Sequence, residues 1–215
     1  MIRYWLLLLP VAAFSYIVGS FSTLVLASNF IFRSNLKKLG TGNSFLSNFR
    51  RVYGMNGALK LLALELVKDI VPIVLGGILL GTKGHADVGR AFAGFCLVLG
   101  RLFPLFYEFR GSHAVIPLLV SAIFADISLG IVGLIFVVAV LLVTKYVSVA
   151  AVAGALIVAA ASVLIVGNNL VITLLALTGG LIVIKHIPSM RRFFRGEEEK
   201  FSFREDLSYK FDEKF

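Results

Sequence analysis

The sequence predicts an all-α, polytopic membrane protein of about seven transmembrane helices, with a broken or re-entrant segment near residues 113–126. Three observations predict it. Of the 215 residues, 59% are hydrophobic and only 15% charged. The mean hydropathy is +0.94, far outside the range of soluble globular domains. The apolar residues also fall in long runs parted by short polar stretches. A hydrocarbon core about 30 Å thick takes about 20 residues per helical crossing, so the chain has room for roughly six to eight crossings and for no large soluble domain.

The first run extends from Tyr4 to Ala27. Met1-Ile2-Arg3-Tyr4 resembles the charged end of a signal peptide, but the run is long enough to span and no clear small-residue cleavage site precedes the basic loop, so it reads as a retained helix. The following runs are Ala58 to Leu80, Ala91 to Phe106, Ala114 to Ala125, Ile127 to Val143, Ser148 to Val166 and Leu170 to Ile184. The fourth is short for a full crossing and reads as tilted, broken or re-entrant, its irregular backbone covered by protein. The expected organisation is a single transmembrane domain over 1–186 and a charged cytoplasmic tail over 187–215. From Lys185 onward eight cations face seven carboxylates. Met190 to Arg195 mixes cations with aromatics, which suits either a segment lying on anionic headgroups or a solvated, partly helical tail. The single cysteine, Cys96, excludes an internal disulfide and reads as a small buried filler.

The net charge of +9 is explained by its distribution. Residues Ile31 to Lys60 carry Arg33, Lys37, Lys38, Arg50, Arg51 and Lys60 with no acidic residue. A basic loop beside a membrane span is a topology signal, because Lys and Arg stay on the cytoplasmic side, and nucleic acid is not an expected partner. Seven crossings place the termini on opposite faces of the cell membrane. With the amino terminus outside, the Arg33 to Lys60 loop, Arg110, Lys145 and the carboxy-terminal tail all lie on the cytoplasmic side.

Three polar clusters interrupt the apolar chain, and this topology gathers them on that cytoplasmic side. The first runs from Leu36 to Arg51. Gly40 and Gly42 flank Thr41, a turn that exposes backbone N–H groups to phosphate oxygens, with Lys37, Lys38 and Arg51 supplying charge; an ordinary turn has the same composition. The second runs from Gly100 to His113. Arg101 follows an almost uncharged stretch, and a guanidinium near hydrocarbon either faces a polar cavity or snorkels to the interface. His113 reads as a base, a phosphate ligand or a satisfied interfacial histidine. The third comprises Lys145 to Ser148 and the Lys185-His186 junction, where cations ending membrane helices are ordinarily anchors. Glu65 and Asp69 share a helical face with Lys68 between them, which reads as an intramembrane clamp between Glu65 and Lys68. No metal site is apparent.

The order of these residues resembles a known family, the bacterial acyl-phosphate:glycerol-3-phosphate acyltransferases, which are small seven-span membrane enzymes. Gly19-Ser20 resembles the opening of the family's first motif, and Lys37 to Gly54 its basic segment, with Gly40, Gly42, Asn43, Asn48, Arg51 and Gly54 identical. Lys68 matches a second-helix lysine. Gly100, Phe103, Pro104, Phe106, Phe109 and Gly111 match the second motif, and Tyr146-Val147-Ser148 the third. His186, Arg192 and Gly196 fit the closing segment. The departures are Arg101 for the family's histidine, Arg110-Gly111-Ser112-His113-Ala114 for its Lys-Gly-Gly-Lys-Gly, Lys37 for an arginine, Thr41 for a serine, Phe45 for a glycine, and Ile187-Pro188-Ser189 for Arg-Glu-Asn.

The resemblance implies transfer of an acyl group from acyl phosphate to the 1-hydroxyl of glycerol 3-phosphate, giving lysophosphatidic acid. The implied partners are these two substrates and membrane lipids. No cofactor is implied, because acyl phosphate is itself a substrate, and no partner protein is identified. Implied substrate-binding residues are Ser20, Lys37, Thr41, Gly42, Asn43, Asn48, Arg51, Lys68, Ser148 and His186; the catalytic pair is Arg101 and His113. Arg101 stays protonated and cannot be a base, so the family's histidine and lysine become a cation at Arg101 and an imidazole at His113. The alternative is a catalytically impaired or inactive paralogue that binds phosphate-bearing lipid or a membrane partner, motivated by Phe45 and Ile187-Pro188-Ser189. A transporter is disfavoured, because the polar residues gather on one side instead of lining a path across.

Overall fold

A chain this apolar has no water inside the bilayer to satisfy its peptide groups, so each crossing must close its hydrogen bonds within itself, and helices result. The computed structural model describes residues 2–27, 46–107, 109, 111, 114–198 and 200–201, and every regular element among them is helical. The elements are α1 (Ile2–Ser20), α2 (Thr23–Leu26), α3 (Leu46–Gly81), α4 (Ala86–Leu102), α5 (Val115–Ala125), α6 (Ile127–Thr144), α7 (Val147–Ile165) and α8 (Asn169–Phe194), with a short 3-10 turn at Leu105–Tyr107.

Each of the seven apolar runs lies on a helix, with local differences. The first run is not one helix: it breaks at Phe21 and Ser22, between α1 and α2. Helix α3 starts twelve residues before its apolar run and includes Gly54 at φ 72°, ψ −176°, a left-handed φ that suits glycine and interrupts the helical path. The short fourth run is a regular eleven-residue helix, α5, about 16 Å long, roughly half the hydrocarbon thickness. Its irregularity lies at its ends, where Asp126 is extended and its Oδ1 accepts from the N–H groups of Ser128 (2.7 Å) and Leu129 (3.3 Å), so that α5 stops and α6 starts at one residue. Helix α8 does not stop at Ile184; it continues through Pro188 to Phe194.

Among the described residues, α6, α7 and α8 are each long and apolar enough to cross a membrane. Large aliphatic side chains stand outward; Leu164 is 88% exposed and Val143 83%. An outer face of this kind is stable only when lipid covers it.

The chain divides into two compact units, residues 1–21 with 66–200 and residues 22–65 with 201–215. In the first, α1 packs on α4, α4 on α5 and α8, and α6 to α8 pack in sequence order. Leu102, Leu118, Leu129, Val158, Leu175 and Ile182 form its core. Glycines let the helix backbones approach: a Cβ on Gly76 of α3 would stand 2.6 Å from the Gly89 carbonyl oxygen of α4. The second unit holds α2 and the opening part of α3 with its Gly54 kink.

Candidate active site

The junction of α1 and α4 is the closest helix contact near the candidate residues. A Cβ on Gly100 would overlap the Tyr16 carbonyl oxygen and stand 3.0 Å from the Ser20 nitrogen, so only glycine lets these backbones touch. This places Ser20, at the end of α1, beside Arg101, in the last turn of α4. Ser20 Oγ donates to the Tyr16 carbonyl at 2.8 Å. Arg101 is 7% exposed. Its guanidinium is therefore held inside the protein and does not snorkel to the interface, which favours the cavity-facing reading of an intramembrane cation.

The loop after Arg101 is held from two sides. Tyr16 Oη donates to the Phe103 carbonyl at 2.7 Å, tying the loop to α1. Lys185 Nζ donates to the Phe109 carbonyl at 3.4 Å and lies 4.6 Å from the Phe103 ring centroid, tying it to α8. Phe109 has φ 58°, and its N–H donates to the Pro104 carbonyl at 3.1 Å. A Cβ on Gly111 would overlap the carbonyl oxygens of Arg101 and Leu102, so the loop returns directly over the end of α4. Phe106 stacks on Phe21 at 4.7 Å.

Lys68 joins the same end. Its Nζ donates to the Phe21 carbonyl at 3.2 Å and lies 3.6 Å from the buried Asp69 carboxylate, so Lys68 pairs with Asp69. Ser148 lies in the first turn of α7, 1% exposed, and its Oγ has no hydrogen-bond partner among the described residues. A buried hydroxyl left in this state suits a polar ligand. Tyr146 meets Phe193 edge-on at 4.9 Å, joining the start of α7 to the end of α8. On α8, His186 is buried with Nδ1 2.8 Å from the Ile182 carbonyl. A carbonyl only accepts, so in the neutral ring Nδ1 carries the proton and Nε2 the lone pair.

The structure thus brings Ser20, Lys68, Arg101, Ser148 and His186 to one end of the first unit. Asn48 and Arg51 stand on the opening turns of α3, in the second unit. Lys37, Thr41, Gly42, Asn43 and His113 lie outside the described residues. Arg192 binds Glu198 at 2.9 Å and Ser189 Oγ at 2.9 Å. Among the described residues no three His, Cys, Asp or Glu side chains gather as metal ligands would. Chemically, the end offers cations for phosphate, buried hydroxyls to orient it, an imidazole, and apolar walls that strengthen every charge interaction. The contacts that Tyr16 and Lys185 make in this framework escape sequence reasoning. Tyr16 lies inside an apolar run, where nothing in the sequence marks a partner for its hydroxyl, and Lys185, although within the third polar cluster, has the composition of a membrane anchor.

Comparison with known proteins identifies the family and the fold. The glycerol-3-phosphate acyltransferase family matches residues 9–196. A glycerol-3-phosphate acyltransferase of Thermoanaerobacter pseudethanolicus is 23% identical over 189 residues, covering 88% of this chain and 93% of the relative. One from Francisella philomiragia is 28% identical over 188 residues, covering 87% and 89%. The fold is similar to the crystal structure of PlsY (YgiH), an integral membrane glycerol 3-phosphate acyltransferase, in its glycerol 3-phosphate form. That match has a TM-score of 0.76 at 21% identity and covers 91% of this chain and 96% of that one. The lysophosphatidic acid form of the same enzyme matches with a TM-score of 0.76 at 22% identity, covering 92% and 97%. The motifs read from the residues, the helical architecture and the match over most of the chain agree, and the chain belongs to the glycerol-3-phosphate acyltransferase family.

Proposed function

We propose that this membrane protein transfers the acyl group of an acyl phosphate to the 1-hydroxyl of glycerol 3-phosphate. The observation that carries the reading is the family match over residues 9–196. The cationic end of the first unit supports it. The hydroxyl oxygen attacks the acyl carbonyl, the carbon–oxygen bond to phosphate breaks, and inorganic phosphate leaves with lysophosphatidic acid as the other product. Acyl phosphate is already activated, so holding two phosphates and aligning hydroxyl with carbonyl supplies up to about 7–11 kcal/mol of the barrier reduction.

In this reading Arg101 stabilises phosphate charge and His113 takes the hydroxyl proton. Lys68, Ser148, His186 and Ser20 line the phosphate subsites with Lys37, Thr41, Gly42, Asn43, Asn48 and Arg51. The site lies on the cytoplasmic side with the amino terminus outside, the catalytic domain is 1–186, and 187–215 is a cytoplasmic tail. The basic loop Arg33 to Lys60 supports that orientation. The test is incubation of purified protein with acyl phosphate and labelled glycerol 3-phosphate, followed by lipid extraction. Labelled lysophosphatidic acid above a heat-inactivated control is expected; its absence overturns the reading in favour of a non-catalytic lipid-binding paralogue.

A further inference from the structure

At the other end of the first unit, an open groove of about 770 Å³ lies between α3, α4 and the α5–α6 junction. Helix α6 has eighteen residues and is about 27 Å long, and it leads from this groove toward the end that carries Ser148. The groove is therefore separate from the candidate active site.

Arg90 lines this groove. A Cβ on Gly77 would stand 2.7 Å from Arg90 Cγ and 3.0 Å from its Nε, so the absence of a side chain at Gly77 lets the arginine lie flat against α3. Arg90 is 39% exposed, and its one polar contact among the described residues is from Nη1 to the exposed Asp87 at 3.5 Å. The other guanidinium nitrogens have no hydrogen-bond partner among the described residues. Across the groove Asp126 uses Oδ1 to cap α6; Oδ2 takes no hydrogen bond from the described residues. Around the polar pair stand Ile78, Ile123 and Ile127, all strongly exposed.

A cation and an anion with unused donors and acceptors, beside an aliphatic surface that lipid must cover, are complementary to one amphiphile. We propose that this groove seats a single phospholipid whose headgroup carries a phosphate and a primary ammonium. The phosphate accepts hydrogen bonds from Arg90, the ammonium donates to Asp126 Oδ2, and the acyl chains run along Ile78, Ile123 and Ile127. The charge balance selects the headgroup. Arg90 pairs with Asp87, and Asp126 lines the same groove, so a purely anionic lipid meets two carboxylates whose repulsion a zwitterionic one converts in part into an ion pair. A quaternary ammonium lacks the N–H that Oδ2 can accept. The volume suits a headgroup, leaving the chains on the outer surface.

The test is native mass spectrometry of the purified full-length chain with phosphatidylethanolamine, phosphatidylcholine and phosphatidylglycerol at equal concentrations, and with inorganic phosphate in a separate arm. Retention of one phosphatidylethanolamine in preference to the others is expected, with no displacement by phosphate. Arg90→Gln weakens that binding about tenfold or more. Asp126→Asn keeps the capping oxygen but removes the charge, so it narrows the preference over phosphatidylglycerol. Gly77→Ala, whose methyl group displaces the Arg90 side chain, weakens binding independently. Equal retention of the three lipids, displacement by phosphate, no bound lipid, or binding unaffected by both Arg90→Gln and Gly77→Ala overturns the proposal.

Discussion

Replacing Gly100 by alanine perturbs the contact that places Ser20 beside Arg101. The added methyl group meets the backbone of Tyr16 and Ser20, not a flexible side chain that could turn away. Inserting a methyl group into a packed contact costs about 1–3 kcal/mol, and a backbone obstacle puts this case in the upper half of the range. Alanine recovers up to about 1 kcal/mol of helix propensity, leaving a net loss of about 1–2 kcal/mol. Gly180 on α8 is the matched control, because its added Cβ meets nothing within 4 Å. There only the propensity gain remains, so the two variants differ by about 2–3 kcal/mol in stability. Reversible unfolding in mixed micelles, followed by helicity, measures the difference. Displacing α1 also moves Ser20 and the Phe103 loop, so Gly100→Ala loses acyl-transfer efficiency while Gly180→Ala keeps it. Equal stability of the two variants, or full activity of Gly100→Ala, would refute the inferred docking.

Tyr16→Phe removes the hydrogen bond to the Phe103 carbonyl, worth about 0.5–1.5 kcal/mol, and should lower kcat/KM several-fold with helix content unchanged in circular dichroism. Lys185→Met removes both the Phe109 hydrogen bond and the contact with the Phe103 ring, together about 1–2 kcal/mol. Steady-state kinetics should show the larger part of the loss restored by Lys185→Arg. Asp126→Ala deletes the cap of α6 and should cost about 1 kcal/mol in unfolding experiments. Turnover should be unaffected, since the cap stands a helix length from the site. His113→Ala tests the proton acceptor: a fall of about 10²- to 10⁴-fold in acyl transfer is expected from loss of general base catalysis, and an unchanged rate would remove His113 from the mechanism.

The helices were legible because hydrocarbon leaves the backbone no alternative, so each apolar run maps onto a helix. Their limits were less legible. Helix α8 continues through Lys185 and His186 to Phe194, because Pro188 and the basic residues can be accommodated where the polar ends meet solvent, and hydropathy alone stops at Ile184. The break at Phe21 and Ser22 falls within Gly19-Ser20-Phe21-Ser22-Thr23, whose small and hydroxyl residues weaken a helix without fixing where it ends. At the site, the placement of Arg101, Ser148 and His186 at one end follows from alternation of the spans, whereas Ser20 and Lys68 were named only through the family resemblance. The burial of Arg101 does not follow, since a residue one position from a helix end reads equally as snorkelling. The contacts of Tyr16 and Lys185 were illegible for a related reason: each acts on a backbone carbonyl of the Phe103 to Phe109 loop, and a carbonyl is present at every residue.

In the proposed reaction the buried guanidinium at the end of α4 stabilises charge during acyl transfer. The most direct measurement is the initial rate of labelled lysophosphatidic acid formation by the wild-type chain and by Arg101→Gln, both purified and matched in helicity. Turnover by the wild type and a rate lower by about 10²-fold or more in the variant are expected. Equal rates would contradict this role.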